Sequence, residues 1–394
     1  MAILSIYADK SSIKFNVYQM DTEKLIVSGI FDRIGLEGSY YNIFFDNEKI
    51  SEEVVLEDHL SAIKILPEKL IGIHAIQSFQ EINAIGHRVV QGLDYYSSSV
   101  FANEKVLQDI EKAMEFAPSH NYGALKTIEA CQSLFPDIPN VCVFDTAFHQ
   151  TISEEAYLYP VPYRWFNDYK VRKYGFHGAS HQFITESVKE LLKKDTFKLI
   201  SCHLGESGSI CAIKDMKSVD VSTGFSPLSG IMMGTKSGDI DPSIIPYIME
   251  KEGKNAAEVI EDLTVNSGLL GLSEYSNDLR EILSQCEEGN EKAILAKNKY
   301  VRRVVDYISQ YYVLLGGVDA IVFTAGVGEN SISIRREICE KLSCLGVKLD
   351  LDLNQNKNEV VKISSNDSSI DVYVIPTNEE LLVARETIHL INNR

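Results

Sequence analysis

The sequence predicts an α/β protein made of two similar domains. Three observations lead there. The chain has 394 residues, and single hydrophobic cores rarely grow past ~250–300 residues. Strand-like and helix-like runs alternate along its length, the pattern of mixed layers. A hairpin signature at the start recurs near the middle, which reads as an internal duplication.

The first hairpin has a strand over Ile3–Ala8, a turn at Asp9-Lys10-Ser11-Ser12 and a return strand over Ile13–Tyr18. The second has Leu199–His203, a turn at Leu204-Gly205-Glu206-Ser207-Gly208, and Ser209–Ile213. Between and after them lie amphipathic helices. Ala293–Leu315 places Ile294, Val301, Val304, Val305, Ile308, Tyr312 and Leu315 near one face, and Gly316-Gly317 stops it. Ser180–Lys194 and Asn378–Ile391 are also helical, the latter opened by Thr377 as cap with Glu380 reaching back. Asp352–Asp371, rich in Asn, Lys and Ser, reads as a solvated excursion.

Composition narrows the function classes. A net charge of −18 disfavours nucleic acid and anionic membrane as partners, because both select basic surfaces. A phosphate ligand remains open, since it needs only a few local cations and backbone N–H groups. The seven cysteines are odd in number and form no CxxC, so reduced, buried thiols are expected rather than disulfides or structural zinc. No apolar run approaches the ~20 residues of a spanning helix. The start Met1-Ala2-Ile3-Leu4-Ser5 has no signal-peptide pattern, and a cytoplasmic location is expected.

Several residues carry chemistry. Arg88 sits in the apolar run Gly86–Val90, and Asp145 ends Val141-Cys142-Val143-Phe144. A carboxylate at the carboxyl end of a central strand is where α/β proteins put functional groups, although a capping Asp and a salt-bridged Arg account for the same residues. His177 and His181 have a spacing that fits two imidazoles on one helix face for zinc, but Gly178 and the lack of an HExxH glutamate favour a loop histidine donating to an anion. Asp319–Thr324 followed by Ala325-Gly326-Val327-Gly328-Glu329-Asn330 and a helix from about Ser333 gives a strand, glycine turn and helix. Ser218–Pro242, rich in glycine around Lys236, reads as a loop shaped for a ligand.

In this order, the segments resemble the acetate kinase family, within the acetate and sugar kinase, heat-shock protein and actin superfamily. The most specific are Val143–Gln150, Tyr174–Gly178, Ser237–Pro242, Gly268–Ser273, Phe323–Asn330 and Pro376–Glu380. The resemblance implies two actin-like (ribonuclease H-like) domains, 1–146 plus 379–394 and 147–378, with the C-terminal helix on the first and an interdomain active-site cleft. It implies transfer of the ATP γ-phosphoryl group to acetate or another short carboxylate, giving acyl phosphate and ADP with Mg²⁺, in a homodimer. By resemblance, Arg88 holds the acceptor carboxylate, while Asp145, His177 and Lys236 are catalytic and Glu379 holds Mg²⁺. Val90, Ser119, His120, Phe176 and Pro227 form the acceptor pocket. The nucleotide falls to Ser12, Lys14, His203, Leu204, Gly205, Glu206, Ser207, Asp278, Leu279, Arg280 and Gly326–Asn330, that is Gly326, Val327, Gly328, Glu329 and Asn330.

The departures from the family pattern cluster around the phosphates and the acceptor carboxylate. Tyr7, Asp9 and Lys10 replace an asparagine, a glycine and a serine; Glu206 and Ser207 replace an asparagine and a glycine; Lys236 replaces an arginine; Gln91 replaces a histidine; Ser119 replaces a pocket leucine. A carboxylate beside phosphates repels them unless a cation offsets it, and lysine lacks the planar fork of arginine. Two alternatives follow: a homologue that binds nucleotide with its turnover impaired, or a kinase with pyrophosphate as donor or a more polar acid as acceptor.

Overall fold

The structure, a computed structural model, describes residues 1–356 and 359–393. Lys357, Asn358 and Arg394 lie outside the described residues, so the excursion at Asp352–Asp371 is described only on either side of that dipeptide and the C-terminal stretch only to 393. The chain divides into two compact units. Unit 1 is Met1–Gln150, Gly178–Ser180 and the stretch from Asn378 onward; unit 2 is Thr151–His177 and His181–Thr377.

Unit 1 carries, among the described residues, an eight-stranded sheet. Its strands are β1 (Ala2–Asp9), β2 (Ser12–Gln19), β3 (Lys24–Asp32), β4 (Tyr40–Phe45), β5 (Glu48–Glu53), β6 (Ile82–Val89), β7 (Val100–Phe101) and β8 (Asn140–Phe144), in the order β5-β4-β3-β2-β1-β6-β8-β7. β1, in the interior, is buried on both faces from Ala2 to Ile6, whereas β2 alternates, with Ile13, Phe15 and Val17 turned to the core.

Unit 2 carries six strands among the described residues: β9 (Lys198–Leu204), β10 (Gly208–Lys214), β11 (Lys217–Val221), β12 (Ala320–Thr324), β13 (Val361–Lys362) and β14 (Asp371–Val374), in the order β11-β10-β9-β12-β14-β13. The two sheets share one plan. In each, three antiparallel strands (β3-β2-β1 and β11-β10-β9) are followed by two parallel ones (β6-β8 and β12-β14). The duplication read from the hairpins is therefore a repeat of topology, with β4, β5, β7 and β13 as additions at the edges.

Register sets up the functional side chains. Tyr7 pairs with Arg88, and Arg88 with Val143. Paired positions in a sheet face the same side, and alternate residues along a strand share it. Tyr7, Arg88 and Asp145, two residues after Val143, therefore emerge on one face at the carboxyl ends of β1, β6 and β8.

Helices confirm the periodic segments and correct their ends. The long helix spans Glu291–Leu315 and stops on Gly316 at φ +64°. The second expected helix runs Gly178–Leu192, with His177 as its left-handed first cap. The last helix is Glu379–Asn392, and its cap is Asn378 rather than Thr377. The Asn378 Oδ1 atom accepts from Leu381 N at 2.9 Å and from the Tyr18 hydroxyl at 3.0 Å, so a side chain of β2 fixes that cap. Ser218–Val221 belongs to β11, and the irregular loop begins after it. The glycine turn after β12 is itself a short helix, Ala325–Asn330, entered through Ala325 at φ +64° and followed by Ile332–Lys341.

The helix Pro118–Leu134 packs on the first hairpin. A Cβ at Gly123 would stand 2.3 Å from the carbonyl oxygen of Asp9, a backbone atom that no rotamer change can clear. Gly123→Ala is expected to lower the stability of the chain by about 2 kcal/mol, the usual cost of overpacking. Denaturant unfolding of the purified variant checks this.

Candidate active site

At the carboxyl ends of β6 and β8, three charged side chains meet in unit 1. The Arg88 guanidinium donates to Asp145 twice, Nε to Oδ1 at 2.9 Å and Nη2 to Oδ2 at 2.8 Å, and Nη1 donates to Glu379 Oε2 at 2.6 Å. The fork-on-carboxylate geometry fixes both partners. Burial alone would lower the Arg88 pKa, but Asp145 and then Glu379 hold it well above its usual value. Burial pushes the Glu379 carboxyl up to about 7, against the opposing pull of Arg88. Its Oε1 atom is buried without a hydrogen-bond partner among the described residues. Two carboxylates on one guanidinium leave a buried excess of negative charge. An arginine has five N–H donors; three are engaged here, which leaves two for an incoming carboxylate.

Tyr7 adds to this cluster. Its ring lies 4.7 Å from the Arg88 guanidinium, a cation–π contact, and its hydroxyl is 3.3 Å from His120 Nδ1. Burial raises the Tyr7 pKa to about 12, so the hydroxyl stays protonated. His120 Nδ1 lies 3.4 Å from Asp9 Oδ1, and that contact holds the Asp9 carboxyl below its usual value. The altered residues of the first hairpin are thus knitted to Ser119–His120 at the start of the Pro118–Leu134 helix. Val90 is buried just past β6. Ser12 and Lys14 lie on β2, and Lys14 adds a favourable charge toward Glu379.

Unit 2 holds the other functional side chains. A cavity of about 1100 Å³ is lined by apolar Leu269, Leu279, Leu283, Tyr300 and Val327 and by polar Glu206, Asn277, Asp278, Asn330 and Arg336, among others. Gly205, Arg280 and Gly326 also line it. A Cβ at Gly205 would stand 3.2 Å from the Ser207 carbonyl oxygen and 3.6 Å from Ala325 Cβ. The second hairpin turn and the turn after β12, singled out separately in the sequence, therefore approach each other closely. Asp278 caps the helix Leu279–Glu287 through Arg280 N at 2.8 Å, and the Arg280 side chain bonds back to it and holds its carboxyl below the usual range.

Five of the unit 2 residues expected at the nucleotide, Ser207 among them, stand off the cavity lining. Gly328 offers its carbonyl to Arg335 Nη1 at 3.0 Å, and Glu329 Oε1 accepts from Thr377 N at 3.1 Å. Leu204 is part of the core, and His203 stacks on His177 at 4.3 Å between ring centres. His177 reaches Ser209 Oγ through Nδ1 at 2.9 Å and Ser207 Oγ through Nε2 at 3.1 Å. His181, on the same helix, is fully buried and bonds to Ser201 and Ser209, so the pair is tied to serines. No cluster of three His, Cys, Asp or Glu side chains fit for a metal occurs among the described residues. Phe176 is buried, with its N–H on Thr223 Oγ1 at 2.9 Å; Pro227 is half-buried.

The loop bearing Lys236 is shaped by its anchors. Asp239 Oδ1 accepts from Gly230 N at 2.7 Å, and Oδ2 accepts from Arg303 Nη2 at 2.8 Å and from the Tyr307 hydroxyl at 2.5 Å. Gly238 at φ +71° would place a Cβ 2.6 Å from the Gly230 carbonyl oxygen, so glycine is required where the loop doubles back. Lys236 itself is half-buried and forms no ion pair among the described residues. In so acidic a chain, a lysine left without a carboxylate is available to an anion.

Sequence reasoning missed Arg335. It is fully buried without a carboxylate; burial lowers its pKa to about 10. It donates to Gly328 and Glu329 carbonyls on one side and to Asn354 Oδ1, Asn354 O and Asn356 O on the other. This explains why Asn354, read as part of a solvated excursion, is buried and lines the cavity with Gln355. The available signal was an arginine at an apolar helix position beside Ile334 and Ile338.

Comparison with known proteins finds relatives along nearly the whole chain. The family model described as the acetokinase family matches residues 2–385. The acetate kinase of Geobacillus kaustophilus is 46% identical over 392 residues, 99% of each chain. Acetate kinase 1 of Listeria monocytogenes is 46% identical over 393 residues, again 99% of each. Among solved structures, the acetate kinase of Porphyromonas gingivalis superposes with a TM-score of 0.95 at 38% identity, covering 99% of both chains. A propionate kinase of Francisella tularensis gives 0.92 at 37% identity over 98% of both. With the duplicated sheets and the motifs found in order along the chain, these matches place the protein in the acetokinase family.

Proposed function

We propose that this chain transfers the γ-phosphoryl group of ATP to acetate or propionate, giving the acyl phosphate and ADP. An acceptor carboxylate oxygen attacks the γ-phosphorus, and the bond to the β,γ-bridging oxygen breaks with its electrons leaving on ADP. The Arg88–Asp145–Glu379 cluster carries the reading, because it is preorganised, buried and still has two N–H donors to offer. Arg88 holds the carboxylate and Asp145 fixes Arg88 beside the reacting groups. Val90, Ser119 and His120 of unit 1, and Phe176 and Pro227 of unit 2, are the residues we assign to the acceptor, and Ser119 is more polar than a leucine would be.

The cavity in unit 2 takes the nucleoside. Its volume and apolar lining suit a base and ribose and favour ATP over pyrophosphate as donor. Lys236, Lys10 and Lys14 serve the phosphates, offsetting Asp9 and Glu206; none of the three forms a salt bridge among the described residues. His177 donates to the equatorial oxygens. Such chemistry asks the protein mainly to align groups and neutralise charge. The reading of a retained fold with lost turnover finds no support, since identity to acetate kinases stays at 46% across 99% of the chain.

The orphaned buried Oε1 of Glu379 is a hard oxygen donor suited to Mg²⁺, which usually takes one or two carboxylates plus water and phosphate oxygens. Mg²⁺ held there would neutralise charge on the transferred group. A homodimer and a cytoplasmic location complete the proposal. Tyr163, Trp165 and Tyr169 expose apolar surface of the kind that interfaces cover. The thiols are mostly buried, and no described helix is long and apolar enough to cross a membrane.

Hydroxylamine trapping of acyl phosphate tests the activity. Wild-type protein with MgATP and acetate or propionate is expected to yield hydroxamate, and pyrophosphate as donor is expected to yield none. Lys236→Ala should lower kcat by about 100-fold, the scale of one transition-state contact, and Lys236→Arg should retain turnover. Absence of hydroxamate with every acid would sink the proposal, and a signal with pyrophosphate would sink its donor assignment.

A further inference from the structure

The serines around His177 form a pattern that its assigned role does not require. His177 caps the helix Gly178–Leu192 and His181 lies one turn further on. Both rings reach the sheet of unit 2. Ser209 on β10 pairs with His203, and Ser201 lies two residues before His203 on β9, so the three side chains share one face. Ser209 Oγ sits between the imidazoles, 2.9 Å from His177 Nδ1 and 2.8 Å from His181 Nε2. Ser201 Oγ lies 2.9 Å from His181 Nδ1, and Ser207 Oγ 3.1 Å from His177 Nε2. Ser201, Ser209 and His181 are fully buried.

A hydroxyl has one hydrogen, and each nitrogen of a neutral imidazole either carries a hydrogen or presents a lone pair. Ser209 can donate to only one of its two ring neighbours. If it donates to His177 Nδ1, the proton of neutral His177 is on Nε2, and Ser209 can accept from His181 Nε2–H. His181 Nδ1 then accepts from the Ser201 hydroxyl. Every donor in this arrangement points the same way, toward Ser207 and the end of the chain that His177 presents to phosphate. Hydrogen bonds aligned in series polarise one another, and an anion at that end favours this direction over its reverse.

We propose that Ser209 and His181 are positioning residues that keep the proton of neutral His177 on Nε2, aimed at the transferred phosphoryl group, through a one-way series Ser201→His181→Ser209→His177. The proposal rests on the reading of His177 as a donor to the equatorial oxygens. Ser207 accepts the Nε2 hydrogen before the nucleotide arrives and yields it to a phosphoryl oxygen. The logic is that of an orienting partner that fixes an imidazole tautomer from behind.

The test is long-range ¹H–¹⁵N correlation of the histidine rings in ¹⁵N-histidine-labelled full-length protein, free and with MgADP, assigned by His177→Asn. The expected result is Nε2–H on both His177 and His181 in both states. Ser209→Ala should give a mixture of His177 tautomers and lower kcat about tenfold, with KM for ATP and acetate within about twofold. His181→Gln, which keeps an N–H donor toward Ser209, should stay within about threefold of wild type, and His181→Leu should fall as far as Ser209→Ala. A His177 proton on Nδ1 in wild-type protein, which needs no variant to fold, overturns the proposal. So does an unchanged kcat in Ser209→Ala. Undiminished turnover in His177→Ala overturns instead the functional reading beneath it, and leaves the tautomer measurement to be judged separately.

Discussion

Asp145→Asn is expected to lower kcat by about 10³-fold or more, the upper scale for loss of one preorganised charged group. The substitution keeps the shape of the side chain and removes its charge. Asp145 accepts from Arg88 at 2.9 and 2.8 Å, and an amide can offer only one acceptor oxygen to that fork. Arg88 is then held by Glu379 and one neutral contact, so the group assigned to the acceptor carboxylate loses its fixed direction. KM for acetate should therefore rise as well. Thermal stability should change little, because the variant buries no additional charge. Hydroxamate formation by the variant, measured alongside its melting temperature, decides the matter. More than about a tenth of wild-type turnover in a folded variant would remove Asp145 from the mechanism.

Glu379→Gln should cost activity and raise stability. Burial lifts the Glu379 pKa to about 7 in the folded protein, above the ~4.3 of a free glutamate. Between those values the folded state binds the extra proton on Glu379, so this group's contribution to the stability of the ligand-free protein falls as pH rises from about 4.5 to 7 and stays low above that. Glutamine removes the ionisation, and with it the slope. At pH 8 the variant should melt about 3–6 °C above wild type, and at pH 4.5 the two should converge. Turnover at saturating ATP should meanwhile drop by about 10²-fold, with a raised requirement for Mg²⁺. Calorimetric scans across that pH range in the absence of ligand test the first half. A wild-type melting temperature that climbs from pH 5 to 8 relative to Glu379→Gln would show that Glu379 is not held against its charge.

The sequence was most informative where one physical rule acted alone. Period-two and period-3.6 patterns placed both hairpins and the helix Glu291–Leu315 to within two residues. Charged residues inside apolar strands marked Arg88 and Asp145, because burial without a partner is costly and so implies one. The cavity was less legible. Gly205, Arg280, Gly326 and Asn330 were read from turns and motifs, but Leu283, Tyr300 and Ile332 look like any core residue. Asn354 was misread because local composition dominated a stretch whose burial comes from Arg335, a residue 19 positions away. The cap of the last helix went to Asn378 for a similar reason, since its tie to Tyr18 spans 360 positions. The pairing of Tyr7 with His120 and of Ser209 with two imidazoles needed register and packing together, which no window of sequence contains.

The connectivity of the two units has a consequence for how the protein is made. Unit 1 begins the chain, yet the helix Glu379–Asn392 that packs on β1, β6 and β8 is translated only after the whole of unit 2. Val383 and Thr387 fill the space left by Gly86 on β6, where a Cβ would meet Thr387 Oγ1 at 2.3 Å. During synthesis, unit 2 can close around its own core while the sheet of unit 1 still waits for one of its coverings. Strand β1, translated before unit 2, is thus sealed only after it. Pauses or truncations late in translation should strike unit 1, exposing an apolar sheet face that chaperones bind or that aggregates. Arg88 and Asp145 stand at the ends of the strands under that helix, and Glu379 is its first residue, so the assigned acceptor site is assembled only when this helix docks.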